Sequence, residues 1–356
     1  MTLLLNNEDV RQVLTADLAL PALEEAFREE GNQAAGNRTK SHIHIPSSRP
    51  GHWYRFRSME GGLREKAVLA MRIKSEMVHW PTRFGKRRQE VYSVTPDRHS
   101  GLVLLFSAED GDFLAIMNDG VLQRMRVGAT AALAAREMAR PDGDVLGVLG
   151  SGGQARSHAL AYTRVRRIRR IRVYSPNPEH RREFAREIAD STGVEVVPCP
   201  DPASAVSEVD ILACCTSSAE PVVDPAWIRP GMHLTSVMLP ELPGEAYSRI
   251  DRAVTYRSDV AQNAFTTPED WRPPSLGGST PQQLAKLELI PKRVSLCDVL
   301  LGRAAGRESA AEINYFNSEG TGVQFAAVAL AVYEKARDRG LGRELPGEWF
   351  LQDVRS

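Results

Sequence analysis

A short glycine-rich segment in the middle of the chain has the residue types and spacing needed to bind phosphate. The segment GSGGQA, residues 150–155, follows the apolar run VLGVL and precedes a stretch with helical periodicity. Gly150 would allow a tight turn, Gly152 would let the backbone approach a pyrophosphate, and Ala155 would let helix and strand pack closely. Since free N–H groups at a helix start favour anions, the sequence predicts a dinucleotide site here. The predicted contacts are Gly150, Gly152, Gly153, Gln154 and Ala155.

The ends of the neighbouring strands indicate which dinucleotide would bind. A ribose-binding acid is expected about 20 residues after the glycines, but Ser175 and Asn177 occupy this region, with two arginines at 181–182. With no carboxylate to hold a free 2′-hydroxyl or repel a 2′-phosphate, the sequence favours NADP(H) over NAD(H). Thr216 and Ser217 end a later strand, ILACCTSS, where a hydroxyl could contact the nicotinamide ribose.

Two different patterns position these residues. From residue 144, apolar strands such as RIRVYS and DILACCTSS alternate with helical stretches, which predicts the α/β class with a doubly wound parallel (Rossmann) sheet. The earlier part has the amphipathic helix DLALPALEEAFREEG and then stretches that alternate at period two, which predicts a second α+β domain. A late helix, GVQFAAVALAVYEKARDRG, is expected to pack back on that domain. The predicted domains are 1–125 with 322–356, and 126–321. The Pro- and Gly-rich segment PEDWRPPSLGGSTPQQLAKL is expected to be a loop.

Bulk composition argues for a small-molecule role in water. Lysine plus arginine equals aspartate plus glutamate at 45 each, so no basic field is available for nucleic acid or an anionic membrane. No apolar run approaches the roughly 18 residues of a membrane span. The eight histidines have no metal-ligand spacing, and we predict no metal site. The cysteines lie in or beside apolar runs and are expected to be reduced core thiols, which suggests a cytoplasmic protein: Cys199, Cys214, Cys215 and Cys297.

Several stretches resemble the ornithine cyclodeaminase and mu-crystallin family. The most specific is the join GVLQRMRVGATAALAAREMARPDGDVLGVLGSGGQARSHA, in which an arginine and a small-residue helix lead into the nucleotide-binding strand. Further similar segments are NRTKSHIHIP, AMRIKSE, GLVLLFSAEDGDFLAIMNDG and NYFNSEGTGVQFAAVALAVYEKARDRGLG. The resemblance covers nearly the whole chain.

The resemblance implies a two-domain homodimer whose first domain supplies the dimer contacts and the substrate pocket. It also implies that Arg38 and Arg126 hold a substrate carboxylate, that Lys74 lies beside the reacting carbon, and that Ser318 and Gly320 lie near the nicotinamide. The residues support part of this. Arg126 is expected in the first turn of an Ala-rich helix, where its charge opposes the helix dipole and a bound anion would relieve the conflict. Lys74 lies in an apolar strand-like run, where burial would lower its pKa.

The chain departs from the family pattern after the fifth strand. Family cyclodeaminases carry an aspartate there that acts on the substrate amine, whereas this chain has Pro240 at the ungapped position and Glu241 after one insertion. The change puts ornithine in doubt as the substrate. The first domain also carries unusual aromatic and basic segments. Their residues Arg55, Arg57 and His79 either extend the pocket toward a second anionic group or belong to an exposed loop.

The sequence therefore favours an NAD(P)H-dependent oxidoreductase that acts on the C–N bond of a small imino or amino acid. In this interpretation Arg38 and Arg126 hold the carboxylate, and Lys74 with Glu241 handles the proton on nitrogen. One alternative is a cyclodeaminase, in which the cofactor takes hydride and returns it while ammonia is lost. Another is a non-catalytic protein that only binds the cofactor.

Overall fold

The computed structural model of the chain describes residues 1–96, 98–256, 263–265, 271, 273 and 285–354. Its strands are β1 (Thr2–Leu5), β2 (Ala35–Asn37), β3 (Lys40–Pro46), β4 (His52–Leu63), β5 (Val68–His79), β6 (Thr82–Arg83), β7 (Lys86–Arg87), β8 (Glu90–Tyr92), β9 (Ser100–Ser107), β10 (Phe113–Asn118), β11 (Val145–Leu149), β12 (Arg170–Tyr174), β13 (Glu195–Pro198), β14 (Ile211–Cys214), β15 (His233–Ser236), β16 (Arg252–Thr255), β17 (Asn263–Phe265), β18 (Lys292–Ser295), β19 (Asn314–Asn317) and β20 (Arg343–Leu345). Its helices are α1 (Asn7–Val13), α2 (Ala16–Gly31), α3 (Asp119–Met138), α4 (Gly153–Val165), α5 (Pro178–Thr192), α6 (Pro202–Val206), α7 (Gly244–Tyr247), α8 (Leu296–Leu300) and α9 (Val323–Asp338).

The half that contains the glycine turn is built on an eight-stranded sheet whose strand pairs are all parallel. The strand order is β13-β12-β11-β14-β15-β19-β16-β18, so the chain reverses direction across the sheet between β11 and β14. The central strands β11 and β14 are fully buried apolar runs, as expected where a sheet is covered on both faces. The predicted α/β class with a doubly wound parallel sheet is confirmed.

The other half is a ten-stranded mixed sheet, mainly antiparallel, with the order β17-β3-β4-β5-β9-β10-β1-β20 and with β2 and β8 pairing on β4 and β5. Side chains alternate between its two faces, because successive strand residues point in opposite directions. On the inner face of β5, Arg72, Lys74 and Glu76 are buried and follow one another at every second position. The helices α2 and α9 pack on this half.

Two elements join the halves differently from the sequence expectation. Helix α3 begins at Asp119 and runs without a break to Met138, so the predicted boundary at residue 126 falls inside a helix. Strand β17 pairs in parallel with β3 of the first sheet although it lies within 126–321. The C-terminal helix α9 packs on α2, β4 and β5 of the first half, and strand β20 pairs with β1.

Other expectations can be compared with the described residues. All four cysteines are free and buried, as predicted. The segment expected to be a loop, residues 268–287, lies mostly outside the described residues. Its end enters a 3-10 helix at Ala285–Leu289. Among the described helices, none is long and apolar enough to cross a membrane. Within the described ranges, no group of three His, Cys, Asp or Glu side chains could hold a metal ion.

Candidate active site

The glycine turn opens a cleft at the carboxyl edge of the parallel sheet. Gly150 follows β11 with φ +116°, and a Cβ there would lie 2.4 Å from the Cys215 carbonyl oxygen, so only glycine fits. Gly152 precedes α4 without a side-chain cap, and a Cβ on it would meet open space. The first N–H groups of α4 therefore lack side-chain partners, while Ala155 is fully buried beneath them. These features fit the phosphates of a dinucleotide.

A cleft of about 570 Å³ extends from this turn along the sheet edge. Its walls include Tyr174, Ser175 and Asn177 after β12, and Thr216 and Ser217 after β14. No carboxylate lines it among the residues that the structure describes. The Ser175 hydroxyl accepts a hydrogen bond from Ser151 at 2.8 Å, and the Asn177 side chain caps α5 by accepting from two backbone N–H groups. Eight of the predicted cofactor contacts line this cleft: Gly150, Gly152, Gly153, Gln154, Ser175, Asn177, Thr216 and Ser217.

A second cavity of about 360 Å³ continues from this cleft toward the first sheet. The two share the wall residues Gly153, Gln154, Thr216 and Ser217. The two cavities therefore adjoin at this wall. The second cavity is lined by the acidic residue Glu319 and by six cationic residues: Lys40, Arg57, Arg72, Lys74, Arg124 and Arg126.

Arg126 lies deep in this second cavity, only 2% exposed. Its guanidinium donates to the side-chain oxygens of Gln123 and Gln324, both at 2.9 Å, and lies 4.9 Å from the ring centroid of Phe325. These partners carry no net charge, so they orient the cation without neutralising it. Burial lowers the pKa of Arg126 to about 9, which leaves it cationic at neutral pH. Contrary to expectation, Arg126 is not in a first turn, because Asn118 caps α3 about two turns earlier.

Lys74 also lines the cavity, with its Nζ 2.7 Å from Glu76 Oε2. Burial lowers the pKa of Lys74 to about 8, although Glu76 opposes the shift. Glu76 also pairs with Arg55 and Arg57, each at 2.7 Å. Burial alone would raise the pKa of Glu76, but Arg57, Arg55 and Lys74 hold it well below 4.5. One carboxylate is thus shared by three cations.

The carboxylate-binding role predicted for Arg38 is not supported by its position. Arg38 is exposed between β2 and β3 and does not line the cavity. Lys40, at the start of β3, lines it instead, and burial lowers the pKa of Lys40 to about 8. Lys40 is not among the site residues predicted from the sequence. Because residues two apart on a strand share a face, the alternation of KSHIHIP could have indicated it.

Glu241 also lies elsewhere than expected. It is fully buried and does not line the cavity, whereas its neighbour Pro240 does. One oxygen accepts from the backbone N–H and hydroxyl of Thr216, and the other from the N–H groups of Val237 and Met238, all within 2.9 Å. Both oxygens are therefore engaged, and direct proton exchange with a substrate is not supported. Glu241 fixes two loops that line the cavity.

Ser318 and Gly320 differ in their placement. Ser318 lines the second cavity, and its buried hydroxyl has no hydrogen-bond partner among the described residues. Gly320 has φ +90°, and a Cβ there would lie 1.7 Å from an Arg126 nitrogen. Gly320 therefore makes room for the Arg126 guanidinium rather than lining the cofactor cleft.

The residues of the aromatic and basic segments, for which the sequence allowed either a pocket or an exposed loop, lie in different places. Arg57 lines the cavity, whereas Arg55 is fully buried behind it against Glu76. His79 lies outside the cavity and stacks on His52 with ring centroids 4.4 Å apart. Further lining residues that were not predicted from the sequence are Arg72, Gln89, His99 and Arg124.

Comparison with known proteins agrees with this architecture. A Delta(1)-pyrroline-2-carboxylate reductase from Bacillus cereus is 29% identical over 251 residues, covering 69% of this chain and 74% of the relative. An alanine dehydrogenase from Archaeoglobus fulgidus is 26% identical over 350 residues, covering 97% and 98%. The structure of Thermococcus litoralis Delta(1)-pyrroline-2-carboxylate reductase in complex with NADH and L-proline has a TM-score of 0.78 at 25% identity and covers 97% of this chain and 100% of that one. The model of the Ornithine cyclodeaminase/mu-crystallin family matches residues 1–340, and the chain belongs to this family.

Proposed function

We propose that the protein is an NAD(P)-dependent oxidoreductase that transfers hydride between the cofactor and the C–N bond of a small imino or amino acid. One observation carries this proposal. The dinucleotide cleft and the cation-lined cavity share the wall formed by Gly153, Gln154, Thr216 and Ser217. A nicotinamide in the first would thus face a substrate in the second. The relatives described above act on imino or amino acids of this kind.

The cofactor would be held by the glycine turn and the cleft around it. When bound, the nicotinamide supplies or accepts the hydride. Within the proposal, NADP(H) is favoured over NAD(H), because the cleft has Ser175 and Asn177 where a carboxylate would repel a 2′-phosphate. The Thermococcus litoralis relative contains NADH, so both cofactors belong in every assay.

Arg126 is proposed to bind the substrate carboxylate. Its guanidinium is oriented by neutral oxygens and keeps its charge, so an anion would supply the missing counter-charge. Lys40 replaces Arg38 as the second candidate. Arg55, Arg57 and Lys74 share the single carboxylate of Glu76. The side of the cavity formed by Arg57 and Lys74 therefore also has a net positive charge. This surplus favours a substrate with a second anionic group.

Lys74 is proposed to donate and accept the proton on the substrate nitrogen. With a pKa of about 8 it is protonated at neutral pH, yet it releases the proton more readily than an exposed lysine. Glu76 orients the ammonium from one side. Glu241 acts as a positioning residue, because it fixes the backbone of Thr216 and of residues 237–238 at the shared wall.

The proposal also includes a homodimer. Along the outer face of the first sheet, the register puts Met71, Leu104, Ile116 and Leu4 in one row. Leu69 on the same face is 40% exposed and Leu4 is 37% exposed. An apolar sheet face of this kind is typical of an interface between subunits.

The test is to follow the absorbance of NADPH and NADH with purified protein. The substrates are pyruvate, oxaloacetate and 2-oxoglutarate, each with ammonia or methylamine, together with a cyclic imino acid and ornithine, with ammonia release assayed in parallel. We expect steady NADPH oxidation with an imine, faster for oxaloacetate than for pyruvate. Ammonia release from ornithine without net cofactor change would establish the cyclodeaminase reaction instead. No turnover with any imine or amino acid would leave the protein a cofactor binder.

A further inference from the structure

The β6–β7 hairpin extends from the first half of the molecule to the dinucleotide cleft. Thr82 pairs with Arg87, and Arg83 pairs with Lys86. Phe84 and Gly85 at its tip have φ values of +51° and +74°, the left-handed pair of a tight hairpin turn. A phenylalanine in this backbone region is unusual. The hairpin belongs to a basic segment that the proposed reaction does not otherwise use.

The base of the hairpin pairs with the segment that follows β14 in the parallel sheet. The Gln89 N–H donates to the Ser217 carbonyl, and the Ala219 N–H donates to the Arg87 carbonyl, both at 2.9 Å. Lys86 Nζ donates to the Pro221 carbonyl at 2.5 Å. Arg88 and Ser218 form an antiparallel bridge between these bonds. The hairpin is therefore fixed to the nucleotide-binding half by backbone hydrogen bonds on both sides of Arg88.

These bonds position cations over the cleft. Phe84, Lys86 and Arg88 line it together with the glycine turn. The Arg88 guanidinium lies 5.5 Å from the Phe84 ring centroid, and its buried Nε has no hydrogen-bond partner among the described residues. A buried guanidinium N–H without an acceptor is costly. An anionic ligand in the cleft would supply the acceptor.

The position of the hairpin favours one part of the dinucleotide. Ser217 and Ser218 follow β14, and β14 lies beside β11, which ends at the glycine turn. In doubly wound sheets the pyrophosphate crosses between two such strands. A 2′-phosphate would instead lie beyond β12, near Ser175 and Asn177. Arg88, which bridges Ser218, therefore lies on this side of the cleft and lines it together with the glycine turn.

We propose that the β6–β7 hairpin is a clamp that binds the pyrophosphate of the dinucleotide through Arg88, opposite the glycine turn. This inference rests on the proposed function, because it needs a dinucleotide in the cleft. It adds that the first half of the molecule binds cofactor as well as substrate. Cofactor binding and the contact between the halves would then support each other.

The test is to titrate the full-length chain and its Arg88→Gln variant with NADPH and NADH and to measure both dissociation constants. We expect Arg88→Gln to weaken both cofactors by about 10- to 100-fold, since the pyrophosphate is common to them. Added salt should weaken binding to the wild type more than binding to Arg88→Gln. The matched control is Arg87→Gln on the same hairpin, because Arg87 is exposed and does not line the cleft.

The outcomes separate the clamp from the proposed function. Unchanged dissociation constants in Arg88→Gln, with tight binding to the wild type, would overturn the clamp and leave the proposed function intact. A loss confined to NADPH would overturn the pyrophosphate assignment and move Arg88 to the 2′-phosphate. Equal losses in Arg88→Gln and Arg87→Gln would also contradict a specific contact. If the wild type bound neither cofactor, both proposals would fail.

Discussion

Lys74 allows the proposed proton transfer to be tested through its pH dependence. Its ammonium lies 2.7 Å from Glu76, and burial lowers its pKa to about 8. In the direction of imine reduction the protonated form is required, so kcat/KM of the wild type should be level below pH 8 and fall above it. Lys74→Met should reduce kcat/KM at pH 7 by about 100-fold and remove this fall.

Lys40 provides the comparison, because its pKa is also about 8 and it lines the same cavity. Lys40→Met should keep the fall above pH 8, since Lys74 remains. The opposite pattern, with the fall present in Lys74→Met and absent in Lys40→Met, would make Lys40 the proton donor.

Arg126 should determine substrate affinity. Arg126→Lys keeps the charge but loses the paired N–H groups that can grip a carboxylate, and we expect KM for the imino acid to rise about 10- to 100-fold. The dissociation constant of NADPH, measured in parallel, separates substrate from cofactor effects. Arg136→Lys, in the last turn of the same helix, is the control, as Arg136 pairs with Glu24 and Glu137 instead. An unchanged KM in Arg126→Lys would contradict the carboxylate site.

At the residue scale the sequence indicates part of the site. Arg126 and Lys74 line the cavity, whereas Arg38 and Glu241 do not. Arg38 and Lys40 are two residues apart, but only Lys40 is inside a strand whose face points to the cavity. Glu241 has the residue type of an acid–base group, yet four hydrogen-bond donors fix its position: two from Thr216, and the N–H groups of Val237 and Met238 just before it. The contact with Thr216, in the loop after another strand, has no local signal.

At the scale of elements, Glu241 joins the loops after β14 and β15. Glu241→Gln places an N–H₂ group against some of the four donors, and we expect the free energy of unfolding to fall by about 2 kcal/mol at pH 7. Urea unfolding measures this change. Glu245→Gln is the control, since Glu245 is exposed four residues later. An equal fall in the free energy of unfolding in Glu245→Gln and Glu241→Gln would contradict the role of Glu241 in joining the two loops.

The stability difference between the wild type and Glu241→Gln should also depend on pH in a defined direction. Burial raises the pKa of Glu241 from 4.5 to about 7. Between these pH values the folded state binds more protons than the unfolded state. The stability of the wild type relative to Glu241→Gln should therefore be highest below pH 4.5 and fall as the pH rises through 7.

A substitution at Asn177, the N-cap of α5, tests the cofactor preference. Asn177→Asp retains the cap, because aspartate is an equally good N-cap, and adds a negative charge to the cleft. We expect NADPH binding to weaken about 10-fold while NADH binding changes little, since the charge repels the 2′-phosphate. Asn6→Asp, which caps α1 in the same way, is the control. Tighter binding of NADH than NADPH by the wild type would contradict the preference.

Elements were predictable where their signal is local. The strands of the parallel half follow from apolar runs between helices, and α2 spans nearly the predicted stretch. The start of α3 was missed because the Asn-Asp-Gly sequence there is also typical of a turn, and its Asn118 caps a helix instead. The pairing of β17 with β3 joins residues far apart in the chain. The alternation of apolar and polar residues along a strand cannot reveal which strand it pairs with.

At the scale of the whole molecule, the exposed outer face of the first sheet predicts a dimer. Light scattering should give twice the 39.3 kDa of the chain. Leu69→Glu should shift the mass toward the monomer, because it buries a charge in the apolar interface, whereas Leu289→Glu, an exposed leucine of the other half, should not. A monomeric wild type, or a Leu69→Glu variant that remains dimeric, would contradict this interface. Because Arg72 and Lys74 point inward from the same strand, a monomeric variant that kept full turnover would show that the cavity is complete within one chain.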